Sequence, residues 1–351
     1  LKICITVCSA LSQTSTMNLL MKVMNTTSQK KDQVQNQVED VSPEVSICAP
    51  LQAKLDLEPK QQKSISDLML KPGVHWVGDG FNVFPVFNRK AFTSSVSPFL
   101  MFDYAAPKHF KATRQQLGVG EHPHRGMETV TIAWQGEVEH GDHLGNHDVI
   151  GAGDVQWMTA ARGIVHEEYH SREFAKSGGV FEMCQLWVNL PSKHKLDPPR
   201  YQAHLKRAIP CVELPSGAGR LRVIAGDFFG VKGPSMTFTP IDLWHVELYK
   251  TGGCADLVFP DGHNTMIFVK RGAVALGARK LSGQDMALLG TKGNQASLEA
   301  MEDATELLIL SGEPIDEPIA AQGPFVMNTR AELNQAFDDY SRGRNGFQRK
   351  R

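Results

Sequence analysis

Two short triplets carry the metal-capable chemistry of this sequence, His122-Pro123-His124 and His166-Glu167-Glu168. Each sets two candidate ligands two residues apart. On a β-strand, positions i and i+2 face the same side. Two such strands lying side by side would gather three imidazoles and one carboxylate. Neutral imidazole suits iron, copper, nickel and zinc, and an added carboxylate shifts the preference toward harder ions such as iron or manganese. Four protein ligands leave one or two positions open on a five- or six-coordinate metal, which is what a substrate or dioxygen requires. Pro123 sits on the outward side of the first pair and lacks a backbone donor, which fits an edge strand or a loop entry. A lone histidine is more often a polar surface or core residue than a ligand. An HxH pair followed by an HxE pair in a strand-rich chain points instead to a metal.

Those triplets need strands to position them. From Val74 to Leu310 the sequence reads as short strands between turn signals. Strands are expected at 129–134, 155–158, 185–189, 221–225, 243–249, 266–269 and 306–310. Gly118-Val119-Gly120, Gly145-Asn146, Gly252-Gly253 and Asp261-Gly262 mark turns among them. Many short strands with few helical patterns indicate an all-β sandwich or barrel. Glu128 to Val138 runs strand, Gln135-Gly136, strand, and Thr265 to Ala275 repeats this through Arg271-Gly272. Such an echo suits two copies of one barrel, with a seam near Pro191 to Pro199. A helix is expected over 329–340, where Leu333, Ala336, Phe337 and Tyr340 share a face. Thr329 and Glu332 are spaced there as a capping box. The basic tail Arg342 to Arg351 is expected to be solvated. The polar segment 12–65 lacks aromatics and is expected to stay unfolded, apart from a helix near Ser64 to Leu70.

Bulk properties narrow the function classes. The 351 residues hold 37 Lys plus Arg against 38 Asp plus Glu, a formal net charge of -1. That balance gives no general attraction to nucleic acid or anionic membrane. No apolar run is long enough for a membrane helix. Cys4, Cys8, Cys48, Cys184, Cys211 and Cys254 form no CxxC pair, which reads as reduced cytoplasmic cysteine rather than a zinc knuckle or disulfide framework. The apolar stretch Ile3 to Leu11 behind Lys2 is brief for a secretory signal. The expectation is an unstructured extension, or a start upstream of a true one at Met17 or Met24.

Longer motifs around the triplets carry a resemblance. Glu121-His-Pro-His-Arg-Gly-Met-Glu-Thr-Val-Thr131 resembles the first metal motif of the pirin family, within the cupin superfamily. The run from Gly151 to His166 (GAGDVQWMTAARGIVH) resembles the family's second motif, with Ala161 where many members have glycine. Gly312-Glu-Pro314 and Gly323-Pro-Phe-Val-Met-Asn-Thr329 resemble its C-terminal signature. The match runs from about Val74 to Phe347. It implies two cupin (jelly-roll) β-barrels packed together, with a C-terminal helix folding back. The chain then divides into an extension at 1–70, a metal-binding barrel at 71–199, a second barrel without metal at 200–320, and a helix and tail at 321–351. His263 stands alone in that second barrel, and His245-Val246-Glu247 lies in a different strand context.

The resemblance implies metal ligands His122, His124, His166 and Glu168, with Glu128 next to the ligands rather than among them. It implies one divalent metal, iron in the first place, with manganese, nickel, copper or zinc as alternatives. The activity implied is a quercetin 2,3-dioxygenase: flavonol ring cleavage by dioxygen with loss of carbon monoxide. Glu168 would then accept the 3-hydroxyl proton, and Met158 would shape the pocket. The competing implication is a metal- or redox-sensing protein that binds transcriptional or metabolic partners without turnover. A third reading is a structural zinc site. A cytoplasmic monomer with a small-molecule substrate is expected. His140, His143 and His147, set among Gly141, Asp142, Gly145 and Asn146, read as a polar turn, and His170 as the end of its strand.

Overall fold

Strand Met127–Gln135 is buried along all but its last residue, which requires cover on both faces of its sheet. It lies within a seven-stranded sheet ordered Arg200–His204, Val155–Thr159, Met127–Gln135, Gly179–Asn189, Phe99–Phe110, Phe81–Phe87, His75–Val77. The structure is a computed structural model and describes residues 60–69, 73–87 and 95–348, with the backbone of 44–45. The expectations for 1–43 and 46–59, including Met17 and Met24, lie outside the described residues.

One face of the seven-stranded sheet meets a four-stranded sheet, Gly118–His124, Ile164–His170, Val138–Asp142, His147–Ile150, to make the first barrel. The other face carries Phe84, Phe102, Tyr104, Val130, Ile132 and Leu186. These interlock with Leu243, Met266, Phe268, Leu308 and Leu310 of an eight-stranded sheet. The far face of that sheet closes on a second four-stranded sheet around a core that includes Val246, Leu257, Ile267, Leu298 and Ile309. The result is all-β, two cupin-type barrels joined through their large sheets, with a C-terminal helix. Alternation along each strand assigns one set of side chains to a barrel interior and the other to the layer between barrels.

That inter-barrel layer also contains charge. Lys270 Nζ lies 3.0 Å from Glu182 Oε1 and 2.7 Å from Glu306 Oε2, and stands 4.9 Å from the Trp134 ring centre. Glu306 further meets His245 Nε2 at 3.4 Å. Burial works against the Glu306 carboxylate, but His245 and Lys270 together hold it down at about 2. The two echo turns adopt the same backbone: Gly136 has φ 77° and Gly272 φ 76°, a left-handed conformation that suits glycine.

The helix forms as Arg330–Ser341, with the expected cap at Thr329. Glu332 N donates to Thr329 Oγ1 at 3.2 Å and Thr329 N to Glu332 Oε2 at 2.8 Å. The helix expected near Ser64 to Leu70 is instead strand Ile65–Met69, antiparallel to Met286–Leu289. Lys63, just before it, donates to the carbonyls of His263, Gly290 and Thr291 at 3.0, 3.2 and 3.1 Å. Residues 65–69 therefore belong to the eight-stranded sheet, and Gln62 bridges Gln295 of the second four-stranded sheet. An open sheet edge supplies backbone partners that outweigh weak local helix preference. Among the described residues, no helix is long and apolar enough to cross a membrane.

Candidate metal centre

His122 and His124 lie on the edge strand Gly118–His124, and His166 and Glu168 on its neighbour Ile164–His170. His166 pairs with His122, and Ile164 with His124. The register then slips, so that Glu168 pairs with Val119. A bulge of this kind re-aims side chains next to functional sites. Pro123 is tolerated because its strand is an edge.

The three imidazoles come together. Ring centres lie 4.2 Å apart for His122–His166, and 5.0 Å for both His122–His124 and His124–His166. One ring nitrogen of each lies within 4.8 Å of the others. Hydrogen bonds orient the rings. His122 Nδ1 donates to Gly120 O at 2.9 Å, and His124 Nδ1 to Pro324 O at 3.3 Å. Each ring then keeps its Nε2 lone pair for another partner. Burial, with repulsion from His122, lowers the His124 pKa to about 3, and burial holds His166 well below the ordinary value. Neutral imidazole is the form that binds metal.

His166 is held by a residue that the turn reading passed over. His140 is buried on strand Val138–Asp142, directly opposite Glu168. Its Nε2 faces Asp142 Oδ2 at 3.4 Å, and its Nδ1 accepts from Gln156 Nε2 at 3.1 Å. A carboxylate only accepts, so the His140 proton is on Nε2. His140 Nδ1 then also receives His166 Nδ1, 3.4 Å away. That leaves His166 Nε2 buried with no hydrogen-bond partner among the described residues. A buried imidazole nitrogen without a hydrogen-bond partner, beside two more imidazoles, fits the donor set of a metal site.

Glu168 is anchored from the opposite sheet. Gln185 Nε2 donates to Glu168 Oε2 at 2.9 Å and Thr131 Oγ1 to Glu168 Oε1 at 3.3 Å. Its carboxylate groups with His140 and His166, not within the three-imidazole set itself. Gln185, Thr131 and Gln156 are neighbours in register across three strands, so one polar row supports both Glu168 and His140. Alternation could have signalled Thr131, two residues beyond Thr129 in the first motif. The pairing of the row is long-range and has no local signature.

Glu128 lies elsewhere. It shares its strand face with Val130 and Ile132, which belong to the inter-barrel core, and it accepts from Thr159 Oγ1 at 2.7 Å. Burial raises its pKa to about 7, with Thr159 and Arg200 opposing. The expectation of a place beside the ligands is thus corrected by strand parity. Met158 is buried in a small cluster with Ala160 and Ile164, against Leu144 and Tyr201, and Tyr201 stacks on His140 at 4.9 Å. His170 ends its strand, as expected, among Phe81, Phe110, Phe174 and Phe181. His143 bonds Gly346 O at 2.9 Å, and His147 bonds Glu139 Oε1 at 3.0 Å.

The chain's end braces the first motif. Arg125, next to His124, forms a buried ion pair with Asp339 at 2.8 Å and lies 4.7 Å from the Phe347 ring centre. Phe347 is buried, so the start of the basic tail is docked rather than solvated. Lys195, also buried, donates to Gly126 O at 2.7 Å and Val326 O at 3.1 Å. A cavity of about 250 Å³ bordered by Glu121, Asp142, Val165, His166 and Glu167 opens beside the cluster.

Residues 80–188 match the Pirin family and residues 243–346 the Pirin C-terminal cupin domain. A Pseudomonas aeruginosa protein named "Putative quercetin 2,3-dioxygenase PA2418" is 52% identical over 270 residues, covering 77% of this chain and 94% of that protein. The chain belongs to the pirin family. A pirin-like protein of Solanum lycopersicum is 36% identical over 260 residues, 73% of this chain and 84% of its own. The crystal structure of a quercetin 2,3-dioxygenase from Acinetobacter baumannii is 48% identical, with a TM-score of 0.78, covering 81% of this chain and 98% of that one. The Escherichia coli pirin YhhW, solved in complex with nickel(II), shares the fold at a TM-score of 0.53 and 21% identity, covering 71% of this chain and 100% of its own.

Proposed function

We propose that this pirin is a metal-dependent dioxygenase of the quercetin 2,3-dioxygenase type, acting on a flavonol-like small molecule. The observation that carries this reading is the buried His166 Nε2, without a partner and beside His122 and His124. His122, His124 and His166 would hold the metal, and Glu168 would supply the fourth ligand. The donor set of imidazoles and one carboxylate favours iron, with manganese, nickel, copper or zinc as alternatives. Once bound there, a metal would supply Lewis-acid chemistry toward the substrate hydroxyl and dioxygen.

The chain's own groups set up the rest. Glu168 accepts the proton of the flavonol 3-hydroxyl: the substrate O–H bond breaks and a carboxylic acid forms. Gln185 and Thr131 fix the carboxylate's orientation. His140 and Gln156 fix the His166 ring. Met158 and Ile164 pack with Tyr201, whose ring stacks on His140, an apolar wall that would limit water on that side of the site. Oxygen uptake by metal-loaded protein with quercetin tests the reading. Uptake matched by loss of flavonol absorbance is expected. No uptake with iron, manganese, nickel, copper or zinc overturns it.

A further inference from the structure

The polar row beneath the three imidazoles has a fourth member, Asp103, with a carboxylate oxygen that bonds nothing among the described residues. Asp103 on strand Phe99–Phe110 pairs in register with Gln185, Gln185 with Thr131, and Thr131 with Gln156. Directly paired residues point to one face of a sheet. Gln185 and Thr131 reach Glu168, and Gln156 reaches His140. Asp103 therefore faces the same barrel interior, one strand beyond the residue that holds Glu168.

Its three row-mates each make a hydrogen bond there. Asp103 is 8% exposed, and its Oδ1 has no hydrogen-bond partner among the described residues. Its neighbour on the other side, Pro85, has no donor to offer. Burial raises its pKa to about 6, with His75 opposing. A buried carboxyl left unpartnered is a net cost to folding, and such costs concentrate where a ligand later makes the bond. The adjacent row repeats the pattern. Trp187 and Thr129 pair in register, and Trp187 Nε1 and Thr129 Oγ1 are both buried without a partner. The Trp187 ring lies 5.3 Å from His124. An acceptor at Asp103 and a donor at Trp187 thus share the inner face of the sheet opposite the imidazoles.

We propose that Asp103 is a specificity residue inside the first barrel, whose carboxylate accepts a hydrogen bond from a second hydroxyl of the substrate, distinct from the one at the imidazole cluster. The ligand class is then a planar aromatic with several hydroxyls rather than one. This rests on the flavonol reading of the site.

The test is equilibrium binding under anaerobic conditions, which needs no turnover. Quercetin is compared with 3-hydroxyflavone, which lacks the additional hydroxyls. Wild type, Asp103→Leu and Asp103→Asn are each loaded with the same metal and matched for occupancy by elemental analysis. Wild type is expected to favour quercetin. Asp103→Leu is expected to lose about tenfold or more of quercetin affinity while 3-hydroxyflavone binding stays within about twofold. Its thermal midpoint is expected to rise, because an unpartnered carboxyl has been removed. A merely structural aspartate would lower the midpoint and weaken both ligands alike. Asp103→Asn keeps the shape and is expected to show a smaller loss of the same selectivity. It carries the test if the leucine variant does not fold. Equal binding of the two compounds by wild type, or undiminished quercetin preference in both variants, overturns the role of Asp103 alone. Failure of wild type to bind either compound overturns the flavonol reading and this inference with it.

Discussion

The interiors of the two barrels are built in opposite ways. The second is filled with apolar side chains such as Val246, Leu257, Ile267, Leu298 and Ile309. The first sets a polar row, Asp103–Gln185–Thr131–Gln156, under three imidazoles and a carboxylate. Asp103 Oδ1, Thr129 Oγ1, His166 Nε2 and Trp187 Nε1 are buried there without partners among the described residues, and the second barrel's core has Trp244 Nε1 in the same state. Apolar packing maximises stability, whereas unpartnered polar groups lower it. The two barrels meet through their large sheets, the seven-stranded and the eight-stranded one.

Four substitutions or conditions would break or sharpen that contrast. The largest effect is expected between the barrels. Lys270→Met strands Glu182 and Glu306 in a buried layer, where Lys270 is 5% exposed, and should cost about 3–5 kcal/mol in denaturant unfolding. Metal content should be unchanged. Next, Leu257→Ala opens a cavity inside the second barrel, where Leu257 is fully buried. It should cost about 2–4 kcal/mol, again without effect on metal. A loss of metal in either variant would deny the division of labour.

The third concerns acid. Glu306 is held at about 2, below its ordinary 4.5. A depressed carboxylate contributes stability that is complete above its unfolded value and is lost as pH falls toward its folded one. The protein should therefore lose at most ~3 kcal/mol from this group between about pH 4.5 and 2. Glu306→Gln should flatten that limb of the stability–pH curve; an unchanged curve would discount the inter-barrel network. The smallest change in free energy is expected inside the first barrel. Gln156→Leu removes a donor to His140 and should weaken metal binding about 10- to 100-fold, with little change in thermal midpoint. Competition with a chelator measures it.

Much of this was legible in the sequence where the signal is local. The expected strand at 129–134 lies inside Met127–Gln135, and that at 155–158 inside Val155–Thr159. The capping box at Thr329 and Glu332 follows from spacing alone, as does the meeting of His122, His124 and His166, whereas the register shift after His166 groups Glu168 with His140. What was missed depends on register between distant strands. His140 reads as part of a polar turn because Asp142, Gly145 and Asn146 do form one, with Asp142 Oδ1 accepting from Leu144 N and Asn146 N at 2.9 and 3.0 Å. The turn simply begins two residues later, and pairing with Glu168 draws His140 into the barrel. Glu128 sits four residues from His124, but a turn through Gly126 (φ 79°) separates their strands, and on the new strand Glu128 shares the face of Val130 and Ile132. Asp103 carries no motif, and its meaning appears only once Gln185 is beside it.

The central claim is that His122, His124 and His166 form one metal centre in the first barrel. Elemental analysis of the native protein beside His124→Ala tests it most directly. Close to one metal per chain in the native protein, falling by most of its occupancy in the variant, is the expected result. Full occupancy in His124→Ala, with the fold intact, would contradict it.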